Sequence, residues 1–216
     1  MHNSKNVPTA HHPINPRQAK HSLGIPHKRS AVWGTTHNNN RNTMIIKEQD
    51  FRNDTIAEIA KRIAVAARTA PKARGNDNLE IAVLTDDDIA RLSDRMQSIA
   101  ESTGQAFFAR DAANIRQCGA VVLIGSRLAP LGLNCGYCGF ATCGEKGSDV
   151  PCFFNANDMG IAIGSAVSQA ADCRIDNRVM FSAGRTAKEM NLLPDCPLIL
   201  AIPLAAKGKN PFFDRN

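Results

Sequence analysis

Histidine is missing from most of this 216-residue chain. All six histidines precede residue 44, so residues 44–216 contain no imidazole. A Ser-His or Cys-His nucleophile pair and a histidine metal ligand are therefore excluded there, unless the N-terminal segment folds back. Aromatic residues are also scarce, with one tryptophan and one tyrosine. The chemistry of the region after residue 44 must therefore come from thiols, carboxylates, hydroxyls and cations.

Long hydrophobic runs are absent as well. A membrane-spanning helix needs roughly 20 apolar residues, and the longest candidate, residues 120–133, is interrupted by Arg127 and Pro130. The N-terminus also lacks the apolar core of a secretory signal peptide. We therefore expect a cytoplasmic protein with no membrane partner, in a compartment where metal-bound thiolates persist better than disulfides.

Acidic residues are absent before Met44, where six lysines and arginines fall. The net charge of +6 therefore comes from this segment, and the remainder of the chain is neutral. A DNA-binding domain normally carries its basic patch on the folded part, so the distribution argues against a nucleic-acid partner. Residues 1–43 are also rich in Asn, His and Pro, without periodicity. We predict a disordered extension over residues 1–43 and a single α+β domain over residues 44–216.

Two kinds of hydrophobic periodicity follow residue 54. Helical spacing predicts helices over 56–70, 86–99, 158–171 and 185–190, and short apolar runs predict strands over 79–84, 120–124 and 198–204. Pro203 suggests that the last strand lies at a sheet edge. Gly160 and Gly164 suggest that the helix over 158–171 packs closely against a neighbour. The mixture predicts a layered α+β domain, with helices against a central sheet.

A glycine-rich loop over residues 134–152 contains four of the seven cysteines. They are spaced C-x2-C-x4-C-x8-C and comprise Cys135, Cys138, Cys143 and Cys152. Thiolates are the ligands that iron–sulfur clusters and zinc prefer. The glycines let the backbone wrap around a bulky group and approach it closely. We interpret the run as the ligand set of a [4Fe–4S] cluster.

Two alternatives to a cluster stay open. A structural four-cysteine zinc site usually shows two separated C-x2-C pairs, whereas this run has one. A dithiol redox motif would use Cys135 and Cys138 but leaves the other two unexplained. The remaining three cysteines are interpreted as small buried residues; they are Cys118, Cys173 and Cys196.

The segment after the first predicted helix carries Arg68, Thr69 and Lys72, followed by Gly75. Two cations, a hydroxyl and a turn glycine are groups that can bind a phosphate. The alternative is that the cations complement the negative end of the helix and face solvent. Lys209, near the C-terminus, is either a second phosphate contact or part of a soluble tail.

Several motifs in order resemble a family of prokaryotic ferredoxin-domain-containing proteins of unassigned function. The resemblance rests on A-A-R-T-A-P-K-A-R-G (66–75), N-C-G-Y-C-G-F-A-T-C (134–143), D-M-G-I-A-I-G-S-A-V (158–167), D-N-R-V-M-F-S-A-G (176–184) and I-P-L-A-A-K-G-K-N-P-F-F-D-R (202–215). It spans most of the chain after Met44.

A more distant resemblance links the chain to nitroreductase-like flavoproteins. It implies a nitroreductase-like α+β fold with the cysteine loop as an insertion. It further implies that Arg68, Thr69 and Lys72 bind the phosphate of FMN, that Lys209 assists, and that the protein is a homodimer.

Together, these patterns predict an iron–sulfur protein in electron transfer, and an FMN-linked oxidoreductase of unknown substrate. The alternative is a non-enzymatic [4Fe–4S] electron carrier or cluster-binding regulatory module without flavin. Either role requires a redox partner protein or a small-molecule electron donor. Protons would come from water, Tyr137 or a carboxylate such as Asp158, although Asp158 is interpreted first as a helix N-cap.

Overall fold

The computed structural model describes residues 45–213, so the predicted disordered extension over residues 1–43 lies outside the described part. The described residues form five α-helices, four strands and a short 3₁₀ turn. In chain order these are α1 (Glu48–Thr69), the 3₁₀ turn (Ala73–Gly75), β1 (Leu79–Leu84), α2 (Asp86–Thr103), α3 (Ala106–Ile115), β2 (Ala120–Ser126), α4 (Phe153–Asp172), β3 (Asp176–Asn177), α5 (Phe181–Glu189) and β4 (Leu198–Ala205).

The four strands form one antiparallel sheet in the order β1-β2-β4-β3. Leu79 of β1 pairs with Ser126 of β2, which pairs in turn with Leu198 of β4. These three residues define one end of the sheet, which we call the loop end because the chain leaves β2 there for the cysteine loop. At the opposite end, the far end, Ala120 pairs with Leu204.

The sheet is covered on both faces, and β2 is buried along its whole length. Val121 and Leu123 pack among residues of α2, α3 and α5, whereas Val122 and Ile124 pack among residues of α1 and α4. Alternate residues of a strand point to opposite faces, so one strand contributes to two cores. Each such aliphatic side chain contributes about 1.5–3 kcal/mol on burial. The layered α+β prediction is confirmed.

The structure corrects two expectations about α4. The helix begins at Phe153 with Cys152 as its N-cap, so Asp158 lies inside the helix and is not an N-cap residue. A Cβ atom added at Gly160 or Gly164 would meet nothing within 4 Å among the described atoms. The close packing of α4 on α1 instead involves Ser165, whose Oγ donates to the Ala66 carbonyl at 2.8 Å.

The edge prediction for β4 was wrong, because β4 lies between β2 and β3. Pro203 is nevertheless tolerated for a local reason. The N–H and the carbonyl of Ala201 form hydrogen bonds with Met180, on the side of β4 away from β2. The backbone nitrogen of Pro203, two residues later, points to that same side. The β3 ladder pairs only with Leu204 and Ala205, so no strand hydrogen bond is required of the proline nitrogen.

None of the helices within residues 45–213 has the length and apolar character needed to cross a lipid bilayer.

Candidate functional site

The cysteine loop connects β2 to α4 without regular secondary structure, as predicted. All four cysteines of the run line one small cavity. Cys135 is exposed at its rim, Cys138 and Cys143 are partly buried, and Cys152 is buried. The structure therefore brings together the four cysteines predicted from their spacing. Their solvent exposure decreases from Cys135 at the rim to Cys152 in the interior.

Asn134 forms two hydrogen bonds with Cys143, one as donor and one as acceptor. Its backbone N–H donates to the Cys143 sulfur at 3.4 Å, and its Oδ1 accepts the Cys143 backbone N–H at 2.8 Å. Asn134 adopts a left-handed conformation with φ of 48°, which asparagine tolerates better than most residues. The contact orients the third cysteine toward the cavity and supplies an N–H donor to its sulfur. Sequence reasoning missed this residue.

Asn155 holds the fourth cysteine in a similar way. Its side-chain oxygen accepts the Cys152 backbone N–H at 3.0 Å, and its Nδ2 donates to the Ala129 carbonyl at 3.0 Å. Asn155 is buried, so both contacts are shielded from water. Because Cys152 is the N-cap of α4, a negatively charged sulfur there lies near the partial positive charge of the helix N-terminus.

Aromatic rings flank the cavity. Phe140 and Phe154 line it. Tyr137 and Phe153 lie further out, with ring centroids 5.2 Å apart in an edge-on arrangement. Tyr137 is 69% exposed. The site thus has an apolar interior lining and an exposed aromatic rim.

The described side chains do not form a site for a single metal ion. Tetrahedral zinc holds each sulfur at about 2.3 Å, which places the sulfurs roughly 3.8 Å from one another. No group of three or more His, Cys, Asp or Glu side chains within residues 45–213 is gathered closely enough to hold a single ion. Four thiols around a shared cavity suit a polynuclear cluster, whose irons each take one cysteine.

The segment proposed to bind a phosphate has its groups engaged within the protein. Arg68 Nη1 donates to Asp77 Oδ2 at 2.6 Å and to the Leu79 carbonyl at 2.9 Å. Lys72 Nζ contacts the carbonyls of Ala67, Arg68 and Ala70 at 3.4, 2.6 and 2.7 Å. An ammonium has three donors, so Lys72 has none left in this arrangement. The contacts are those expected of cations at a helix C-terminus.

Thr69 and Lys209 do not complete a shared site with these cations. The Thr69 hydroxyl donates to the Ala66 carbonyl at 3.3 Å. Lys209 follows β4 at the far end of the sheet, whereas Arg68 contacts the first residue of β1 at the loop end. The 22 residues of α1 span about 33 Å between these ends. The four residues therefore do not converge in one chain, and their role in flavin binding stays a prediction.

The same segment has a different role that the sequence did not reveal. Arg74 Nη1 donates to the Leu131 carbonyl at 2.7 Å, just before the cysteine loop. The Ala73 N–H donates to Asp158 Oδ2 at 3.1 Å. Asp158 is buried inside α4, so this bond joins the 3₁₀ turn to the helix that carries Cys152. The segment after α1 thereby holds the cysteine loop against the domain.

A second cleft opens at the loop end, where β3 does not extend along β4. It has a volume of about 520 Å³ and lies between α4, α5 and the first residues of β4. Met159, Phe181 and Leu200 form apolar parts of its lining, and Lys188 and Arg185 supply cations. This size is within the range of small-molecule pockets. We call this second cleft the α5 cleft. It was not predicted from the sequence.

The other three cysteines play no part in the cavity, in agreement with their interpretation as structural residues. Cys196 is buried, and Cys118 and Cys173 are partly buried. Burial raises the pKa of the Cys118 thiol to about 12, against the opposing effect of Lys207, and burial raises the pKa of Cys196 to about 11. Both are therefore neutral thiols at physiological pH.

Fold and site together define a class of protein: a nitroreductase-like α+β domain with an inserted cysteine loop. A nitroreductase with bound FMN from Bacteroides fragilis NCTC 9343 aligns over 74% of this chain and 82% of its own, with a TM-score of 0.52 and 11% identity. The nitroreductase CinD from Lactococcus lactis, in complex with nicotinic acid, covers 77% and 82% with a TM-score of 0.52 and 15% identity. At such identities the likeness shows the fold alone.

The family follows from the sequence comparison. Residues 148–215 match the family described as "Uncharacterized protein containing a ferredoxin domain (DUF2148)". An uncharacterized protein from Archaeoglobus fulgidus is 37% identical over 182 residues, covering 80% of this chain and 98% of its own. The chain belongs to this ferredoxin-domain family, as the motifs predicted. The ferredoxin domain in the description supports an iron–sulfur centre and a role in electron transfer.

Proposed function

We propose that this protein carries a [4Fe–4S] cluster on Cys135, Cys138, Cys143 and Cys152 and acts as an FMN-linked oxidoreductase whose substrate is unassigned. The observation that carries the proposal is the convergence of four thiols on one cavity. Four cysteines are the ligand set of such clusters. The run has one C-x2-C pair, whereas a structural zinc site usually has two, and this favours a cluster over the zinc alternative.

The chain's own residues prepare this site before any cluster binds. Asn134 and Asn155 orient Cys143 and Cys152, and Arg74 anchors the beginning of the loop. Phe140 and Phe154 exclude water from the interior, which strengthens electrostatic interactions there. When bound, a cluster exchanges single electrons and a flavin exchanges one or two.

The fold similarity supports the flavin part of the proposal, since one of the similar nitroreductases contains bound FMN. We place the flavin in the α5 cleft rather than on Lys72, because the cleft is mostly apolar and is large enough for a small molecule. The Lys188 ammonium forms no hydrogen bond or ion pair within residues 45–213, and Lys188 lines this cleft. It is our candidate for an anionic contact.

A second candidate function is a non-enzymatic [4Fe–4S] electron carrier without flavin. Two observations support it: the Lys72 ammonium is engaged by backbone carbonyls, and Lys209 and Arg68 lie at opposite ends of the sheet in one chain. The exposed rim at Tyr137 would suit exchange of electrons with a partner protein. We place either activity in the cytoplasm, where thiolate ligands persist.

We further propose a homodimer in which the outer face of α4 contacts its copy. Phe153 and Ile161 on this face are 43% and 40% exposed. Gly160 and Gly164 lie on the same side of the helix as Phe153, and a Cβ added at either would meet nothing within 4 Å among the described atoms. Small residues on a helix let a second backbone approach closely.

Anaerobic purification followed by metal, sulfide and flavin analysis tests the proposal. A cluster with FMN requires about four irons and four sulfides per chain at its ligand set, together with a yellow fluorescent compound released on denaturation. Iron and sulfide without flavin support the carrier. Stoichiometric zinc in colourless protein contradicts both.

A further inference from the structure

Two of the four cysteines in the cysteine loop are held at their backbone by asparagine side chains. The Cys143 N–H donates to Asn134 Oδ1 at 2.8 Å, and the Cys143 sulfur also accepts the Asn134 N–H. The Cys152 N–H donates to Asn155 Oδ1 at 3.0 Å, and Cys152 is only 4% exposed. These bonds and this burial resist any movement of the two cysteines away from the cavity.

Cys135 lacks this support. It is the exposed member of the four, and neither its thiol nor its backbone forms a hydrogen bond within residues 45–213. Asn134 and Gly136 on either side of it have positive φ angles of 48° and 72°. A Cβ atom added at Gly136 would meet only the Phe140 carbonyl oxygen, at 3.9 Å. An exposed segment with few hydrogen bonds and open space around it opens at low free-energy cost.

Solvent approaches the cavity from the side of Cys135. Tyr137, two residues later, is 69% exposed. Cys138 lies further in, because it is partly buried within a turn that a backbone hydrogen bond of 2.9 Å closes between Gly139 and Gly136. The susceptibility of a thiolate site to oxidation follows its exposure to solvent. An iron held by Cys135 is therefore the one that an oxidant in water reaches first.

We propose that Cys135 is the labile ligand of the cluster, so that oxidation removes the iron it holds and leaves a [3Fe–4S] cluster on the other three cysteines. The inference rests on the [4Fe–4S] site of the proposed function. A one-electron oxidant takes one electron from a [4Fe–4S]²⁺ cluster, Fe²⁺ leaves from Cys135, and [3Fe–4S]⁺ remains. The freed Cys135 thiolate takes a proton from water and becomes a site for alkylating or oxidising reagents.

Ferricyanide titrated anaerobically into the cluster-loaded, full-length protein tests the assignment, since it accepts one electron and becomes ferrocyanide. Electron paramagnetic resonance follows the [3Fe–4S]⁺ signal, and iodoacetamide labels each thiol that is released. We expect this signal to rise together with label on Cys135. Labelling of Cys135 should be about tenfold or more faster than that of the other three cysteines, the protection that one hydrogen bond gives. Fe²⁺ with dithionite should restore the cluster and protect Cys135 again.

Mass spectrometry locates the label. Cleavage by trypsin after Lys146 places Cys152 on a separate peptide from the other three cysteines. Fragmentation of the first peptide then distinguishes Cys135 from Cys138 and Cys143. The result depends on chemical accessibility and not on catalytic activity.

Cys135→Ala and Cys152→Ala are a matched pair of variants. Cys135→Ala removes an exposed side chain, so the core is unaffected. It should be isolated with about three irons per chain and the [3Fe–4S]⁺ signal, because three cysteines still hold one iron each. Cys152→Ala should lose most of its iron. Equal loss of iron from both variants would contradict the proposal.

Iron and sulfide are assayed before oxidation, so that the two proposals fail separately. A preparation without iron or sulfide overturns both the proposed function and the labile role of Cys135. A loaded cluster that ferricyanide leaves intact, or dissolves completely without the [3Fe–4S]⁺ signal, overturns the role of Cys135 alone. Labelling that appears first on Cys138, Cys143 or Cys152 does the same.

Discussion

The backbone N–H of Asn134 points at the sulfur of Cys143 while its side chain accepts the N–H of the same cysteine. This reciprocal pair lies nine residues apart in sequence, with Cys135 and Cys138 between the two partners. It closes the cysteine loop on itself, so the ligand geometry does not depend only on a bound cluster. A hydrogen bond to a ligand sulfur also helps set the reduction potential of a cluster.

Changing Asn134 should alter the cluster without unfolding the domain. Asn134→Gly keeps the left-handed backbone and the N–H donor but loses the Oδ1 acceptor, so we expect faster loss of iron to a chelator. Asn134→Ala adds backbone strain of about 1–2 kcal/mol and should lose iron faster still. Bleaching of the visible absorption under anaerobic conditions measures both rates. Asn191→Gly, at another left-handed asparagine outside the loop, is the control. Equal rates in all variants would contradict the positioning role.

Replacement of individual cysteines should separate ligands from structural thiols. Cys143→Ala and Cys152→Ala remove a thiolate ligand, so we expect most of the iron and the visible absorption to be lost. Cys196→Ala removes a buried neutral thiol near Gly125 and should keep the iron content, with a modest loss of stability. Iron and sulfide assays on anaerobically prepared variants provide the measurement. Full iron content in Cys152→Ala would remove this residue from the ligand set.

The ion pair of Asp77 with Arg68 predicts a pH dependence of stability. Burial raises the pKa of Asp77 and the Arg68 hydrogen bond lowers it, with the net result below its ordinary value. A depressed acid stabilises the fold above its unfolded pKa of about 4, and that contribution is lost as pH falls through the folded value. Asp77→Asn should therefore lower the thermal midpoint at pH 7, by an amount that shrinks below pH about 4.

Scanning calorimetry at several pH values follows this difference. Asp50→Asn, at an exposed acid in the first turn of α1, is a matched control that lacks the Arg68 contact. A deficit in Asp77→Asn that persists unchanged at low pH would show that the carboxylate charge is not its cause.

The proposed dimer can be tested on α4 without disturbing the core. Gly164→Glu places a charge on the outer face, where a Cβ meets nothing in the single chain. We expect a dimer to dissociate into folded monomers, because the buried charge would lack a partner. Light scattering coupled to size-exclusion chromatography measures the mass. Gly208→Glu, also in open space but after β4, should leave it unchanged. A dimer that survives Gly164→Glu at low concentration places the interface elsewhere.

Local patterns predicted much of this molecule. The strand over residues 79–84 was predicted at its observed bounds, and α2 was predicted from its three initial aspartates and its apolar face. Both predictions depend on the periodicity of apolar residues over a short stretch of chain, and this periodicity can be read from neighbouring residues alone. The beginning of α4 was predicted five residues late, because the prediction began the helix at Asp158.

Long-range relations were harder to predict. Arg68 and Lys209 were grouped by their chemistry, yet antiparallel pairing of β1, β2 and β4 carries their neighbours to opposite ends of the sheet. Lys72 is predicted to bind a phosphate, and in the structure its ammonium donates to three carbonyls at the end of α1. The spacing of these residues along the chain does not show which of them lie together in the fold or which are already bonded within the protein.

The sequence by itself determined the ligand chemistry, because four cysteines within 18 residues on a glycine loop can meet whatever the surrounding fold. It also determined the family and the layered α+β class, through ordered motifs and local periodicity. Tertiary structure alone decided that Asn134 and Asn155 orient the cysteines and that Arg74 anchors their loop. These relations arise from packing and strand pairing between distant segments, and such contacts leave no periodic trace in the chain.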